Sequence, residues 1–356
     1  MNLDDQSGIS RLDKSGMLGI IESMPEQIED AFKVAKNINL GQLRNLTSVL
    51  LIGVGGSGIS GDVVRVLCEN QCEIPIVVNK GYGLANFVGA STLVFLVSYS
   101  GDTEETLFRL SDLSARRAEV VCISSGGKLL DYAHEQKNME IRIPAGLQPR
   151  AALAYLVIPI LIVLDKLDLC ELKKEDIHET IDTLCNMRNE IGVSVEVKKN
   201  LAKKMAMSIS GSVPVVYGAE GPSSVAALRW KCQFNENSKQ PAIYNYFPEL
   251  NHNETVGWEK AEDIIKRFTL VFLKDMTAGE RNVQRMDITR ELIGKMFKDV
   301  LEVESRGSSP LCRFFSLVYF GDLVSGYLAL LNDVDPTPVE RIKVLKESLA
   351  KLSFSS

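Results

Sequence analysis

Two segments rich in glycine and hydroxyl side chains, Gly53-Val54-Gly55-Gly56-Ser57-Gly58 and Ser98-Tyr99-Ser100-Gly101-Asp102-Thr103, are the residues of this chain best suited to hold an anion. Each follows a β-branched apolar run and opens an expected helix, so both loops belong at the carboxyl edge of one open sheet. Helix N-termini there offer unpaired N–H groups and a positive dipole end. Gly55 and Gly56 let the main chain approach a ligand closely, and Ser57, Ser98, Ser100 and Thr103 add hydroxyl donors. The chemistry this suits is recognition of the phosphate of a small molecule.

The first loop also satisfies G-x-G-x-x-G, the pattern of a dinucleotide site. Such a site wants an acid about 20 residues on, at the end of the second strand, to hold a ribose. That strand ends here in Asn79-Lys80. A compact phosphate therefore fits better than a nicotinamide dinucleotide.

The elements that must position these loops alternate. A helical spacing over Met17–Val34 leads to strands at Ser48–Ile52, Ile74–Val78, Thr92–Val97 and Glu119–Ile123, with helices at Gly61–Asn70 and Thr103–Arg117. Ala151–Leu164 is the longest apolar stretch, shorter than the ~20 residues a bilayer span needs and interrupted by Pro159, so it reads as a buried helix. A second round begins near Ser212 with a strand at Val213–Tyr217, a loop at Gly218–Ser224 and a helix at Val225–Phe234. Thr92-Leu93-Val94-Phe95-Leu96 recurs letter for letter as Thr269-Leu270-Val271-Phe272-Leu273, in the matching position of its half. The second copy runs into Lys274-Asp275-Met276, so only the first half keeps the anion-binding hydroxyls. The expected fold is α/β: two doubly wound parallel-sheet domains with helices on both faces. Residues 1–40 form a helical extension, 41–165 the first domain, 166–200 a charged helical connector, 201–332 the second domain and 333–356 a closing helix.

Composition narrows the function classes. With 356 residues, 45% of them hydrophobic and 24% charged, the chain can bury two ordinary cores. A net charge of -6 opposes general nucleic-acid binding, which needs a basic footprint. The N-terminus, with Asp4 and Asp5, shows neither an apolar secretory core nor a lipidation motif, so the cytoplasm is the expected location, with no membrane partner. The seven cysteines and three histidines are too scattered for a metal site, and no metal is expected.

Five motifs taken in order resemble a known family: Gly55-Gly56-Ser57-Gly58, Ser98-Tyr99-Ser100-Gly101, Pro149-Arg150-Ala151-Ala152-Leu153, Asn235-Glu236-Asn237 and Pro248-Glu249-Leu250-Asn251-His252-Asn253-Glu254. They look like the bifunctional phosphoglucose/phosphomannose isomerases, which belong to the phosphoglucose isomerase superfamily and carry two sugar-isomerase (SIS) domains. The resemblance runs from about Gly53 to Lys346, and the last motif is the most specific. It implies a homodimer with a shared active site that interconverts glucose 6-phosphate and mannose 6-phosphate with fructose 6-phosphate. The proton moves within the substrate through a cis-enediolate, so no cofactor is expected.

By the same resemblance Glu236 shuttles the proton, Arg150 holds the developing negative oxygen and His252, arriving from the partner subunit, helps open the ring. Thr337 leaves room for either C2 epimer, and a lysine of the closing helix, Lys346 or Lys343, reaches the sugar hydroxyls. Taken alone, Asp335-Pro336-Thr337-Pro338 also reads as a helix start with Thr337 as N-cap. Asp102 departs from the Asn usual in the family, and an acid beside a phosphate costs affinity unless it points away. A SIS protein that senses a sugar phosphate without converting it would keep the serine loops but have no use for Glu236, Arg150 and His252 together.

Overall fold

The computed structural model describes residues 1–352 apart from 42, 44, 261 and 350. Among the described residues, nine strands form two wholly parallel sheets. The first, in the order β2-β1-β3-β4-β5, takes β1 Ser48–Ile52, β2 Ile76–Asn79, β3 Thr92–Val97, β4 Glu119–Ser124 and β5 Met139–Arg142. The second, in the order β7-β6-β8-β9, takes β6 Val213–Ala219, β7 Ile243–Phe247, β8 Phe268–Lys274 and β9 Asp299–Glu304. The strand order turns back between β1 and β3 in one sheet and between β6 and β8 in the other, the positions at whose carboxyl ends open α/β sheets bind ligands.

The central strands are buried almost throughout, and successive side chains enter alternate cores, which defines the layers. Val49, Leu51, Leu93, Phe95, Val97, Val216, Val271 and Leu273 point into one shared core between the sheets. Leu50, Ile52, Val94 and Leu96 face an outer core with Leu113, Leu129 and Ala133, and Val215, Tyr217, Leu270 and Phe272 face a second outer core with Met286 and Ile293. Both faces of each sheet are therefore covered, as parallel sheets require. The repeated pentapeptide occupies β3 and β8. Thr92 meets Ser48 across the pair at 3.1 Å, and Thr269 meets Ser212 at 2.7 Å, so the repeat extends to one hydrogen bond at the same corner of each half.

Several expected elements are redrawn. Met17–Val34 is two helices, Met17–Glu22 and Met24–Ala35; the Ser23 hydroxyl donates to Ile20 O and Pro25 opens the second helix. Thr103–Arg117 is broken into Glu104–Leu107 and Leu110–Arg116, because Arg109 turns inward and donates to Tyr82 O and Asn79 Oδ1. The first-loop helix begins at Gly56 rather than Gly61. Within the connector, Lys174–Ile191 is the one helix before Leu201–Ile209. The longest apolar helix is Pro310–Leu331 rather than the one at Ala151–Leu164; it is long enough to cross a membrane by length and composition, yet 94% of its apolar window is buried inside the fold. Its Ser316, Asp322 and Ser325 break the apolar run as read along the sequence.

Thr337 is not an N-cap. The last helix, Glu340–Leu349, starts three residues later, and the Thr337 amide donates to Asp335 Oδ1. None of its residues is buried, and Ile342, Val344, Leu345 and Leu349 are exposed. Residues 350 and 353–356 of the expected closing segment lie outside the described residues.

Helix Pro222–Glu236 carries the candidate carboxylate and is fixed by Trp230, whose Nε1 donates to Leu317 O and whose ring stacks on Phe320. A Cβ on Gly321 would fall inside the Trp230 indole. Gly321→Ala should cost about 1–3 kcal/mol of stability by overpacking, read from urea unfolding against the wild type.

Candidate active site

Residues 149–151 form a single 3-10 turn whose Pro149 fixes the approach, and this turn presents Arg150 to the interior at 3% exposure. Of the five N–H groups of its guanidinium, four are committed. Nε donates to Asn237 Oδ1 at 2.6 Å, one Nη1 hydrogen points to Glu236 Oε2 at 3.5 Å, and Nη2 donates to Pro336 O and Thr337 O, both at 2.8 Å. One N–H of Nη1 remains. Burial pushes the Arg150 guanidinium below its ordinary value, and Glu236 pulls it back; the group keeps its charge throughout.

Glu236 is the last residue of helix Pro222–Glu236 and is half-buried, with a side-chain exposure of 29%. Thr337 lies in the short strap that follows Asp335. Its Oγ1 is buried without a hydrogen-bond partner among the described residues.

The first glycine loop abuts the same place. Gly55, at φ +60, leads into helix Gly56–Cys68, whose first amides have no carbonyl behind them. A Cβ on Gly56 would lie 2.8 Å from Pro149 O, so only glycine lets the loop lean on the main chain of the arginine turn. The glycine loop and the Glu236–Arg150 pair are thereby brought together within one chain.

The hydroxyls divide into two groups. Ser57 Oγ accepts from Tyr99 N and so ties the first loop to the second, while Ser98 Oγ lies 2.8 Å from Thr103 Oγ1 and accepts from Gly101 N, bracing the second loop from within. Ser100 is exposed and remains open to a ligand, although its Oγ also accepts from Asp102 N. The second loop's helix is only Glu104–Leu107, so turn amides and hydroxyls rather than a long dipole would serve an anion there. Asp102 faces away: its Oδ1 accepts from Lys128 N at the start of helix Gly127–Gln136. The acid therefore caps a neighbouring helix.

Three expected residues do not join the cluster. His252 is exposed at the end of the 3-10 turn Glu249–His252, and its ring makes no hydrogen bond to Arg150, Glu236 or Thr337. Lys343 and Lys346 lie on the exposed closing helix and make no ion pair among the described residues. One residue was missed by the sequence reading: Lys239 Nζ donates to Glu236 O at 2.7 Å and to Pro336 O at 3.1 Å. It ties the end of the glutamate helix to the strap. Nothing in its neighbourhood of the sequence signals this, because Pro336 is 97 residues away.

The profile of the Bacterial phospho-glucose isomerase C-terminal SIS domain matches residues 198–349. A Bifunctional phosphoglucose/phosphomannose isomerase from Caldicellulosiruptor bescii is 43% identical over 337 residues, covering 94% of this chain and 99% of that protein. The chain belongs to the bifunctional phosphoglucose/phosphomannose isomerase family. A member from Aquifex aeolicus is 36% identical over 85% of this chain and 90% of its own length. Among solved structures, the C-terminal domain of glucosamine-fructose-6-phosphate aminotransferase from Francisella tularensis superposes with a TM-score of 0.70 at 15% identity, covering 90% of this chain and 97% of that one, a likeness of fold.

The Lys239 contact has a pH signature. Burial of its ammonium end, then the Arg150 charge, push Lys239 down to about 8 from 10.5, against Asp335 and Glu236. Between those values the unfolded chain holds more protons than the folded one, so stability rises with pH across the window. The stem stays in solvent, which screens the effect and keeps it small. In Lys239→Met this rise should be absent, as read from melting temperatures of both proteins at the two ends of the window.

Proposed function

We propose that the protein interconverts glucose 6-phosphate and mannose 6-phosphate with fructose 6-phosphate, acting as a cytoplasmic homodimer. The observation that carries this reading is a carboxylate, Glu236, paired with a buried guanidinium, Arg150, whose own turn is in contact with a phosphate-type loop. A substrate with phosphate at one end and an α-hydroxy carbonyl at the other matches that arrangement.

Glu236 takes the proton from C2 of the open aldose. The C–H pair becomes the C1–C2 double bond, and the carbonyl pair moves onto O1. The remaining N–H of Arg150 and its charge stabilise the enediolate oxygens, and no proton can be lost to them from a group of such high pKa. Glu236 then returns the proton to C1, and the hydroxyl proton moves from O2 to O1, giving the ketose. Protonation of either face of C2 in the reverse direction, beside the small Thr337 side chain, yields glucose or mannose stereochemistry. The amides of Gly55, Gly56 and Ser57 and the Ser100 hydroxyl hold the phosphate, in loops that the Ser57, Ser98 and Thr103 hydroxyls brace.

Two features support a dimer that completes the site. His252 is exposed and makes no hydrogen bond to Glu236 of its own chain, and the closing helix leaves Ile342, Val344, Leu345 and Leu349 uncovered. A second copy would cover the helix, supply His252 for ring opening and bring Lys346 or Lys343 to the sugar hydroxyls.

With fructose 6-phosphate as substrate, the wild type should produce both aldose phosphates, and Glu236→Gln should lower kcat by about 10²–10⁴-fold; an unchanged rate removes Glu236 from the mechanism. If His252 comes from the partner, mixing inactive Glu236→Gln and His252→Ala subunits should regenerate activity, because each mixed dimer holds one site with both groups intact. Failure of subunits shown to exchange to recover any activity contradicts the shared site.

A further inference from the structure

Asp322 is a carboxylate in the middle of the long apolar helix Pro310–Leu331, with no exposed surface. Burial pushes its carboxyl above the ordinary value, and the Arg229 guanidinium opposes that shift. A buried ion pair gives no net stability that well-packed apolar residues of the same volume could not supply, so its presence calls for another account. The contacts provide one. Arg229 donates to the carboxylate through Nε at 3.1 Å and through Nη2, and the same Nη2 donates to the main-chain carbonyl of Arg150 at 2.7 Å.

One turn further along the helix, Ser325 Oγ accepts from Asn237 Nδ2 at 2.9 Å and donates to Asp322 O at 2.7 Å. Asn237 Oδ1 is the acceptor for Arg150 Nε at 2.6 Å. A single helical turn thus holds Arg150 at both ends, its main chain through Arg229 and its guanidinium through Asn237. All four residues of the relay are buried.

We propose that Asp322 and Ser325 are positioning residues that set the angle at which Arg150 faces the enediolate. This rests on the isomerase reading, in which that guanidinium meets the reacting oxygens. Neither residue touches substrate; a misplacement of the guanidinium by an ångström is enough to cost about 10²-fold in rate.

The test is steady-state isomerisation of fructose 6-phosphate by the wild type, Asp322→Asn, Ser325→Ala, Arg150→Lys and the Ser325→Ala/Arg150→Lys double variant, with melting temperatures alongside. Wild-type inactivity would overturn the isomerase reading and this inference with it. Given wild-type turnover, Asp322→Asn should lower kcat about 10–100-fold and Ser325→Ala about 3–10-fold, with KM moving less than about threefold. Ser325→Ala should add little once Arg150 is Lys, which has no Nε–H for Asn237 to hold. Ser325→Ala loses a single hydroxyl, so it decides the matter if Asp322→Asn does not fold. A folded Ser325→Ala variant with wild-type kcat, or one losing the same factor in both backgrounds, overturns the positioning role while leaving the isomerase reading intact.

Discussion

A guanidinium that is 3% exposed must find a partner for its N–H groups, and the arrangement around residue 150 meets that demand. Leaving buried donors unpaired costs about 1–3 kcal/mol each, more when charged. The partners come from segments far apart in sequence: Glu236 and Asn237 at the end of one helix, Pro336 and Thr337 from the strap near the C-terminus, and Arg229 gripping the carbonyl. The glycine loop leans on the same turn. Satisfying one buried cation therefore brings together the groups that a sugar phosphate would need, and the strap cannot leave without unpairing that cation.

The two halves share an architecture but have diverged at their loops. Both keep the serine–threonine hydrogen bond at the base of the central strand pair. After β3 the first half presents hydroxyls and turn amides. After β8 the second half presents Asp275, a carboxylate 3% exposed that accepts from the Thr277 amide and pairs with Arg313 at 3.1 Å. The second half therefore fills the position of the serine loop with an ion pair and offers no hydroxyl cluster there.

Much of this was legible in the sequence because it is local. Apolar β-branched runs located β1, β3, β4, β6 and β8, and the repeated pentapeptide identified matching strands in the two halves. The short edge strands β5 and β7 and the polar β9 carry no such run, and Pro310–Leu331 was hidden because buried Asp322 and Ser325 look like surface residues until their partners are known. Glu236, Arg150 and Thr337 were found through motifs, whereas Lys239, Asp322 and Ser325 act through carbonyls and side chains distant in the chain. Thr337 shows the limit of a local signal: a Thr before a Pro reads as a helix cap, yet its carbonyl serves Arg150 instead. Asp102 shows the same limit in another way, since it caps helix Gly127–Gln136 rather than the helix it precedes.

The central claim is that one molecule bridges the glycine loop and the Glu236–Arg150 pair. A crystal structure of the protein with a linear five-carbon sugar-acid phosphate, whose planar carboxylate imitates the enediolate, tests it most directly. The account predicts phosphate oxygens on the amides of Gly55 to Ser57 and on the Ser100 hydroxyl, with the carboxylate against Arg150 and within hydrogen-bond reach of Glu236. Phosphate bound at any other place, or a carboxylate that does not reach Arg150, would contradict it.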